Sequence, residues 1–299
     1  MGDLTGKVAI VTGSGRGLGR CEALELAKLG ARVVVSEIDR PEAKEAAESV
    51  VAEIKGLGGD AIAVYGDCAD TNDAGKIFKS AIDKFGDVNI MVNNAGFLRD
   101  KTIFSMTDEE FDSVVRVHLR GHFVNMRNAT AYWREKAKAS GTVYGRLIST
   151  SSEAFLFGSA GQPNYAAAKS GIVAMTMGAA QLMAKYGVTA NVICPRARTD
   201  MTNHGITAQI FAKPEEGFDY FAPENVSPLI GYLASPESQN VNGEVFVVWG
   251  KRINIVQRPK LDVFYDNETK WTVDNIGPKL QQYFAGRTPV LDGFSVPPQ

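Results

Sequence analysis

The stretch that most restricts how this chain can fold is its first thirty residues. KVAIVTG (7–13) is a short, continuously apolar strand that ends in glycine. CEALELAKLG (21–30) carries apolar residues at helical spacing and closes on a glycine stop. Between them lies TGSGRGLG (12–19), a glycine-rich turn from strand to helix. Such a turn lets the backbone approach a pyrophosphate closely. The helix start adds free N–H donors and the positive end of its dipole. Tight packing alone could also select these glycines; the strand–turn–helix context favours the phosphate-binding reading.

Strand and helix go on alternating for about 250 residues. Further strands are expected at ARVVVSE (31–37), AIAVYGD (61–67), VNIMVNNAG (88–96), GRLISTSS (145–152), VTANVICP (188–195) and GEVFVVWG (243–250). Helical spacing fills most of the intervals, including a long tract over about 108–139 and another over about 163–186. The strands are apolar on both faces, which suits a parallel sheet covered by helices on each side. No linker divides the chain. Residues 1–250 are therefore read as one α/β domain, and 251–299 as an irregular C-terminal extension packed on it, with Pro259, Pro278, Pro289, Pro297 and Pro298 breaking any periodicity.

Charge and cysteine content narrow the class further. With 32 basic and 34 acidic residues the net charge is −2, which gives no sign of a nucleic-acid or anionic-membrane partner. Cys21, Cys68 and Cys194 are odd in number and widely spaced, so a disulfide framework or zinc site is not expected and a reducing compartment fits. His118, His122 and His204 lack metal-ligand spacing. The N-terminus runs straight into the first strand without room for a signal peptide, and no apolar run is long enough to span a bilayer. A cytoplasmic protein is expected.

Two side-chain placements suggest chemistry. Glu37 ends the second strand, 18 residues after Gly19. A carboxylate there can accept hydrogen bonds from both ribose hydroxyls of an adenosine and repels a 2′-phosphate, which favours NAD over NADP. Arg16, inside the glycine turn, is the opposing feature. GQPNYAAAKSG (161–171) puts Tyr165 and Lys169 at i and i+4 on one helix face. By itself that pair is more often a solvated face than a site.

Taken together, TGSGRGLG, GDC at 66–68, NNAG at 93–96, a serine after the fifth strand, YAAAK at 165–169 and CPRARTDM at 194–201 occur in the order of the short-chain dehydrogenase/reductase family. The chain resembles that family over about residues 5–250. The resemblance implies a Rossmann-type doubly wound sheet of seven parallel strands and an NAD(P)-dependent oxidoreductase acting on a CH–OH group. Gly13, Ser14, Arg16, Gly17, Leu18 and Gly19 would form the cofactor turn, and Glu37 would hold the ribose. Asp67 would bind the adenine amino group beside the Cys68 backbone. Asn94, Ala95 and Gly96 would line the cofactor, and Pro195, Ala197, Thr199 and Met201 would close a loop over it. Ser152, 13 residues before Tyr165, is picked out from Ser149 and Ser151 as the catalytic serine. Tyr165 would exchange the proton. Lys169 would lower the tyrosine's pKa and, with Tyr165, hold the nicotinamide ribose. By the same resemblance a homotetramer is expected, pairing through the two long helical tracts.

Two departures matter. VHLRG (117–121) has His118 where the family usually has asparagine, so His118 either relays protons or fills a helix bend. Arg196 follows Pro195 where the family has glycine. Both departures, with APENVSPLIGYL (222–233), resemble the (3R)-hydroxyacyl-CoA dehydrogenase part of the peroxisomal type-two multifunctional enzyme and its bacterial relatives. The expected activity is therefore NAD-dependent interconversion of a 3-hydroxyacyl and a 3-oxoacyl thioester, with a lipid-like and possibly CoA-linked substrate. The alternatives are a hydroxysteroid or small secondary-alcohol dehydrogenase and, outside enzymes, a catalytically silent nucleotide-binding protein. The tail aromatics Phe264, Tyr265, Trp271, Tyr283, Phe284 and Phe294 either cover an apolar patch or wall the site, with Lys251, Arg252 or Arg196 then near the thioester's phosphates.

Overall fold

A computed structural model describes residues 2–203 and 205–288. His204, Pro289, Phe294, Pro297 and Pro298, singled out above, lie outside the described residues. The order is β1 (Val8–Thr12), α1 (Gly17–Lys28), β2 (Arg32–Glu37), α2 (Pro41–Gly56), β3 (Ala61–Tyr65), α3 (Thr71–Phe85), β4 (Ile90–Asn93) and α4 (Asp108–Val115). After a π-helical turn at Arg116–Arg120 come α5 (Gly121–Ser140), β5 (Gly145–Thr150), the short α6 (Ala154–Phe157), α7 (Pro163–Met183) and β6 (Val188–Pro195). The chain continues through α8 (Gly205–Ile210), α9 (Ser227–Ala234), β7 (Val245–Trp249), β8 (Arg252–Ile255) and α10 (Val273–Phe284).

The strands form one sheet in the order β3-β2-β1-β4-β5-β6-β7-β8. Seven strands are parallel, as expected. The eighth is a correction: β8 turns back antiparallel on β7, pairing Trp249 with Arg252 and Phe246 with Ile255. The tail read as irregular thus contains a strand and a helix. Gly250, with φ +51, supplies the left-handed turn between β7 and β8. Alternate side chains of the sheet feed two cores. Val33, Val35, Ile90 and Ile148 pack toward α1, α2 and α9, while Val34, Met91 and Leu147 pack toward α3, α5 and α7. This is why the strands are apolar on both faces. Trp133 anchors the second core, fully buried, its indole N–H donating to the Val88 carbonyl at 2.8 Å.

The long helical tract over 108–139 is not one helix. α4, with its Thr107–Glu110 capping box, ends in the π turn before α5 begins. That turn carries His118 inward, and π turns of this kind often sit at functional sites. The strand order reverses between β1 and β4, and at this point in a doubly wound sheet a crevice opens beyond the carboxyl ends of the strands. Among the described residues no helix is long and apolar enough to cross a membrane.

Candidate active site

A cleft of about 610 Å³ occupies that crevice. Gly13, Arg16, Gly17, Leu18, Glu37, Asp67, Cys68, Asn94, Ala95, Gly96, Thr199 and Met201, each read from the sequence as a cofactor residue, line it. Its shape depends on missing side chains. Gly13 has φ +63, and a Cβ there would lie 2.8 Å from the Ala95 Cα. At Gly19 a Cβ would lie 2.3 Å from the Gly13 oxygen and 2.5 Å from Asn94 Nδ2. The Asn94 amide donates to the Thr12 and Gly13 carbonyls at 3.1 and 3.0 Å, while Thr12 Oγ1 accepts from the N–H groups of Asn94 and Ala95. NNAG and the glycine turn are therefore two halves of one cradle, fitted for a dinucleotide at the start of α1.

Six predicted cofactor residues are not on the cleft wall, and two of these, Tyr165 and Lys169, lie a turn apart on α7. Ser14 is turned inward, donating to the Val11 carbonyl at 2.7 Å and accepting from the Ser36 N–H. Gly19 packs against the turn itself, Ala197 is buried in the core, and Pro195 ends β6 in register with Val248. The wall also holds residues that the sequence did not flag, among them Arg40, Phe97, Arg99 and Arg116. Arg116 lies in the π turn and pairs with Asp67 at 2.7 Å, so the predicted adenine-binding carboxylate carries a guanidinium partner.

One carboxylate beside the glycine turn is fixed in place. Glu37 accepts from the Gly15 N–H at 2.9 Å and from the Ile38 N–H at 3.1 Å, which pins it beside the turn. Arg16 instead donates to the Glu42 carbonyl at the start of α2. Burial pushes the Cys68 thiol up to about 12, which disfavours its thiolate.

The structure brings Ser152, Tyr165, Lys169 and His118 together. Lys169 lies 5.3 Å from the Tyr165 ring centroid and donates from Nζ to the Thr150 carbonyl at 2.7 Å. The His118 ring meets the Tyr165 ring edge-on, with centroids 5.2 Å apart. Gly96 makes this possible, because a Cβ there would lie 2.0 Å from His118 Cε1. His118 therefore joins the cleft wall to the tyrosine. The three serines separate clearly. Ser149 accepts from Thr176 and Ser151 donates to the Lys169 carbonyl, both in the interior. Ser152 is partly exposed, and its hydroxyl lies near enough to Tyr165 to lower the phenol's pKa.

Burial pushes Tyr165 up to about 12, against the Ser152 hydroxyl, and pulls Lys169 down to about 7. Desolvation disfavours the charged form of each group. His118 is held well below its ordinary value, first by burial and then by Lys169, so its ring is neutral. Its Nε2 faces the Phe97 backbone, and Nδ1 has no partner among the described residues.

Arg196 is a further correction. It does not reach toward a substrate phosphate. Its guanidinium makes a bidentate pair with Glu153 at 2.6 and 2.7 Å, with both side chains buried. Lys251 lies over Phe218 and Arg252 over Trp249.

This cradle and cluster define a nicotinamide-dependent oxidoreductase, and the family model described as short chain dehydrogenase matches residues 7–209. The chain belongs to that family. It is 48% identical over 295 residues to the hydroxyacyl-CoA dehydrogenase ChsB1 of Mycobacterium tuberculosis, covering 96% of this chain and 91% of that protein. It is 39% identical over 249 residues to the peroxisomal multifunctional enzyme type 2 of Mus musculus, covering 81% of this chain and 31% of that longer protein. A short chain dehydrogenase from Mycobacterium avium superposes with a TM-score of 0.87 at 41% identity, over 98% of this chain and 99% of that one.

Proposed function

We propose that the protein is an NAD-dependent dehydrogenase that interconverts the 3-hydroxy and 3-oxo forms of an acyl thioester. The observation that carries the chemistry is Tyr165 set beside buried Lys169 on one helix face, with the Ser152 hydroxyl acting on the phenol. In the oxidation direction Tyr165 as phenolate takes the alcohol proton, and in reduction the phenol gives one to the carbonyl oxygen. Ser152 holds that oxygen by hydrogen bonding. Lys169, fixed by the Thr150 carbonyl, would hold the nicotinamide ribose and stands beside the phenol. When bound, the nicotinamide supplies the hydride chemistry, and its positive ring adds a field that favours phenolate. Glu37 supports NAD as the partner, since its carboxylate stands beside the glycine turn while Arg16 is engaged elsewhere.

The hydroxyacyl-CoA dehydrogenase named among the relatives supports the thioester as substrate class. We also read the protein as cytoplasmic and homotetrameric, with Phe111 on α4 and Phe123 on α5 exposed at 40% and 44% on the faces that would pair. The test is a screen of 3-hydroxyacyl-CoAs, hydroxysteroids and short secondary alcohols with NAD and NADP, read as absorbance of the reduced cofactor. The thioesters with NAD should give the highest kcat/KM. Preference for a steroid or short alcohol would replace the substrate, preference for NADP would replace the cofactor, and no turnover with any alcohol would leave a nucleotide-binding protein.

A further inference from the structure

The Glu153–Arg196 pair takes no part in the chemistry outlined above. Yet it is the most deeply buried ion pair among the described residues, with side chains 8% and 7% exposed. Three strand ends meet at it. Glu153 follows directly on Ser152, beyond β5. Arg196 follows β6, and its N–H donates to the Val248 carbonyl of β7 at 3.0 Å. The guanidinium also lies 4.0 Å from the ring centroid of Trp249, the last residue of β7.

Burying two charges carries a desolvation penalty, and an apolar pair of similar volume is often as stable or more so. Stability alone therefore does not account for the pair. A bidentate fork does fix the relative orientation of two planes, which a point charge cannot. Here that orientation passes through one peptide unit to Ser152. The serine's own attachment is thin. Its Oγ accepts from the Ala154 N–H at 3.3 Å, and its carbonyl accepts from the Phe155 N–H. The chain then enters the short α6, where Leu156 and Phe157 are exposed. Neighbouring Ser151 is tied at both ends, its N–H to the Ile193 carbonyl at 2.7 Å and its Oγ to the Lys169 carbonyl at 2.9 Å.

We propose that Glu153 and Arg196 are positioning residues that set the Ser152 hydroxyl against Tyr165 by clamping the loop after β5 to the loop after β6. The proposal rests on the role given to Ser152 above. The test is a cycle of three enzymes measured with NADH and the best 3-oxoacyl-CoA from the screen: Ser152→Ala, the apolar pair Glu153→Leu/Arg196→Met, and all three changes together. The apolar pair should keep its thermal midpoint and its NADH Kd within about twofold, yet lose roughly tenfold or more in kcat, since small misplacements near reacting atoms are costly. Adding Ser152→Ala to that background should cost much less than it costs in the wild type, because the serine is already misplaced.

Wild-type kcat in the apolar pair would overturn the proposal, and so would equal costs of Ser152→Ala in both backgrounds. If Ser152→Ala alone leaves kcat unchanged, the reading of Ser152 falls and the proposal with it, a result distinct from additive costs. Should the apolar pair fail to fold, Arg196→Lys keeps the charge and removes the fork. It should lower kcat while KM and NADH Kd hold, and an unchanged kcat there would equally overturn the clamp.

Discussion

At Gly19 an added Cβ would lie 2.3 Å from a backbone oxygen, whereas the side chain of Phe264 in the tail is 84% exposed. The first lies in the half of the molecule built on β1–β4 and α1, the second in the stretch beyond β7. In the cofactor half the backbone shapes the site, so the sequence there is constrained by what it must leave out. Beyond β7 the chain gains a strand and a helix but little burial: all four residues of β8 are exposed, and α10 has no buried residue. Between the two halves stands the Ser152–Tyr165–Lys169 cluster, where the constraint is the identity and burial of individual side chains. Substitutions should therefore fail for different reasons in the three regions.

The largest effect is expected at the cluster. Tyr165→Phe removes the proton-exchanging hydroxyl and should lower kcat by about 10²- to 10⁴-fold, with NADH binding and the circular dichroism spectrum retained. A variant that keeps more than half its activity would remove Tyr165 from the mechanism.

Next comes α1, where Glu22 is fully buried, neither carboxylate oxygen has a partner among the described residues, and burial pushes its pKa up to about 8. Between pH 4.5 and 8 the unfolded carboxyl loses its proton while the folded one keeps it, so this group costs stability increasingly as pH rises through that window. Glu22→Gln cannot ionise. Its advantage over the wild type in denaturant melts should grow by on the order of 2–3 kcal/mol from pH 5 to pH 8. A pH-independent difference would show that the carboxyl is not held neutral.

Gly19→Ala should follow, since its Cβ meets backbone rather than a yielding side chain. A loss of about 1–3 kcal/mol, shared between thermal stability and NADH affinity, is expected from overpacking of this kind. An alanine variant with unchanged NADH Kd and midpoint would mean that the cradle is far less tight than it stands here.

Glu37→Ala should narrow the NAD/NADP ratio of kcat/KM by about tenfold by removing a repulsive group, and no change in the ratio would shift the selectivity to Arg16 or Arg40. The smallest effect belongs to the tail: Phe264→Ser should leave the unfolding free energy within about 0.5 kcal/mol. A larger loss would show that the tail is buried in the working protein, and with it the comparison between the two halves would need redrawing.

The motif positions were readable for local reasons. Gly13, Gly17 and Gly19 sit in a strand–turn–helix whose spacing alone requires small residues, and Tyr165 and Lys169 share a helix face by the i, i+4 rule. Glu37 could be placed because a strand end fixes its distance from the turn. Ser152 needed the family spacing to separate it from Ser149 and Ser151, and burial then separates the three in space. His118 could not be resolved as bend or relay, because its place depends on a π turn and on Gly96, 22 positions earlier.

Arg196, one of three cations that could have stood near a thioester's phosphates, pairs instead with a buried carboxylate. Its partner lies 43 positions away on another strand end, and nothing in the local pattern couples them. Arg116 was missed for the same reason, since its bond to Asp67 spans the crossover through α3 and the whole of α4. For Tyr165 the i, i+4 rule supplies the neighbouring amine, but only the fold sets how deeply both groups are desolvated. By itself the sequence determined the alternation of strands and helices, the glycine cradle and the residue types of the cluster, because each follows from neighbours a few positions apart. The tertiary structure alone decided the antiparallel β8, the pairing of Glu153 with Arg196 and the protonation balance of Tyr165 and Lys169, because each depends on distance and burial between segments that the chain brings together only when folded.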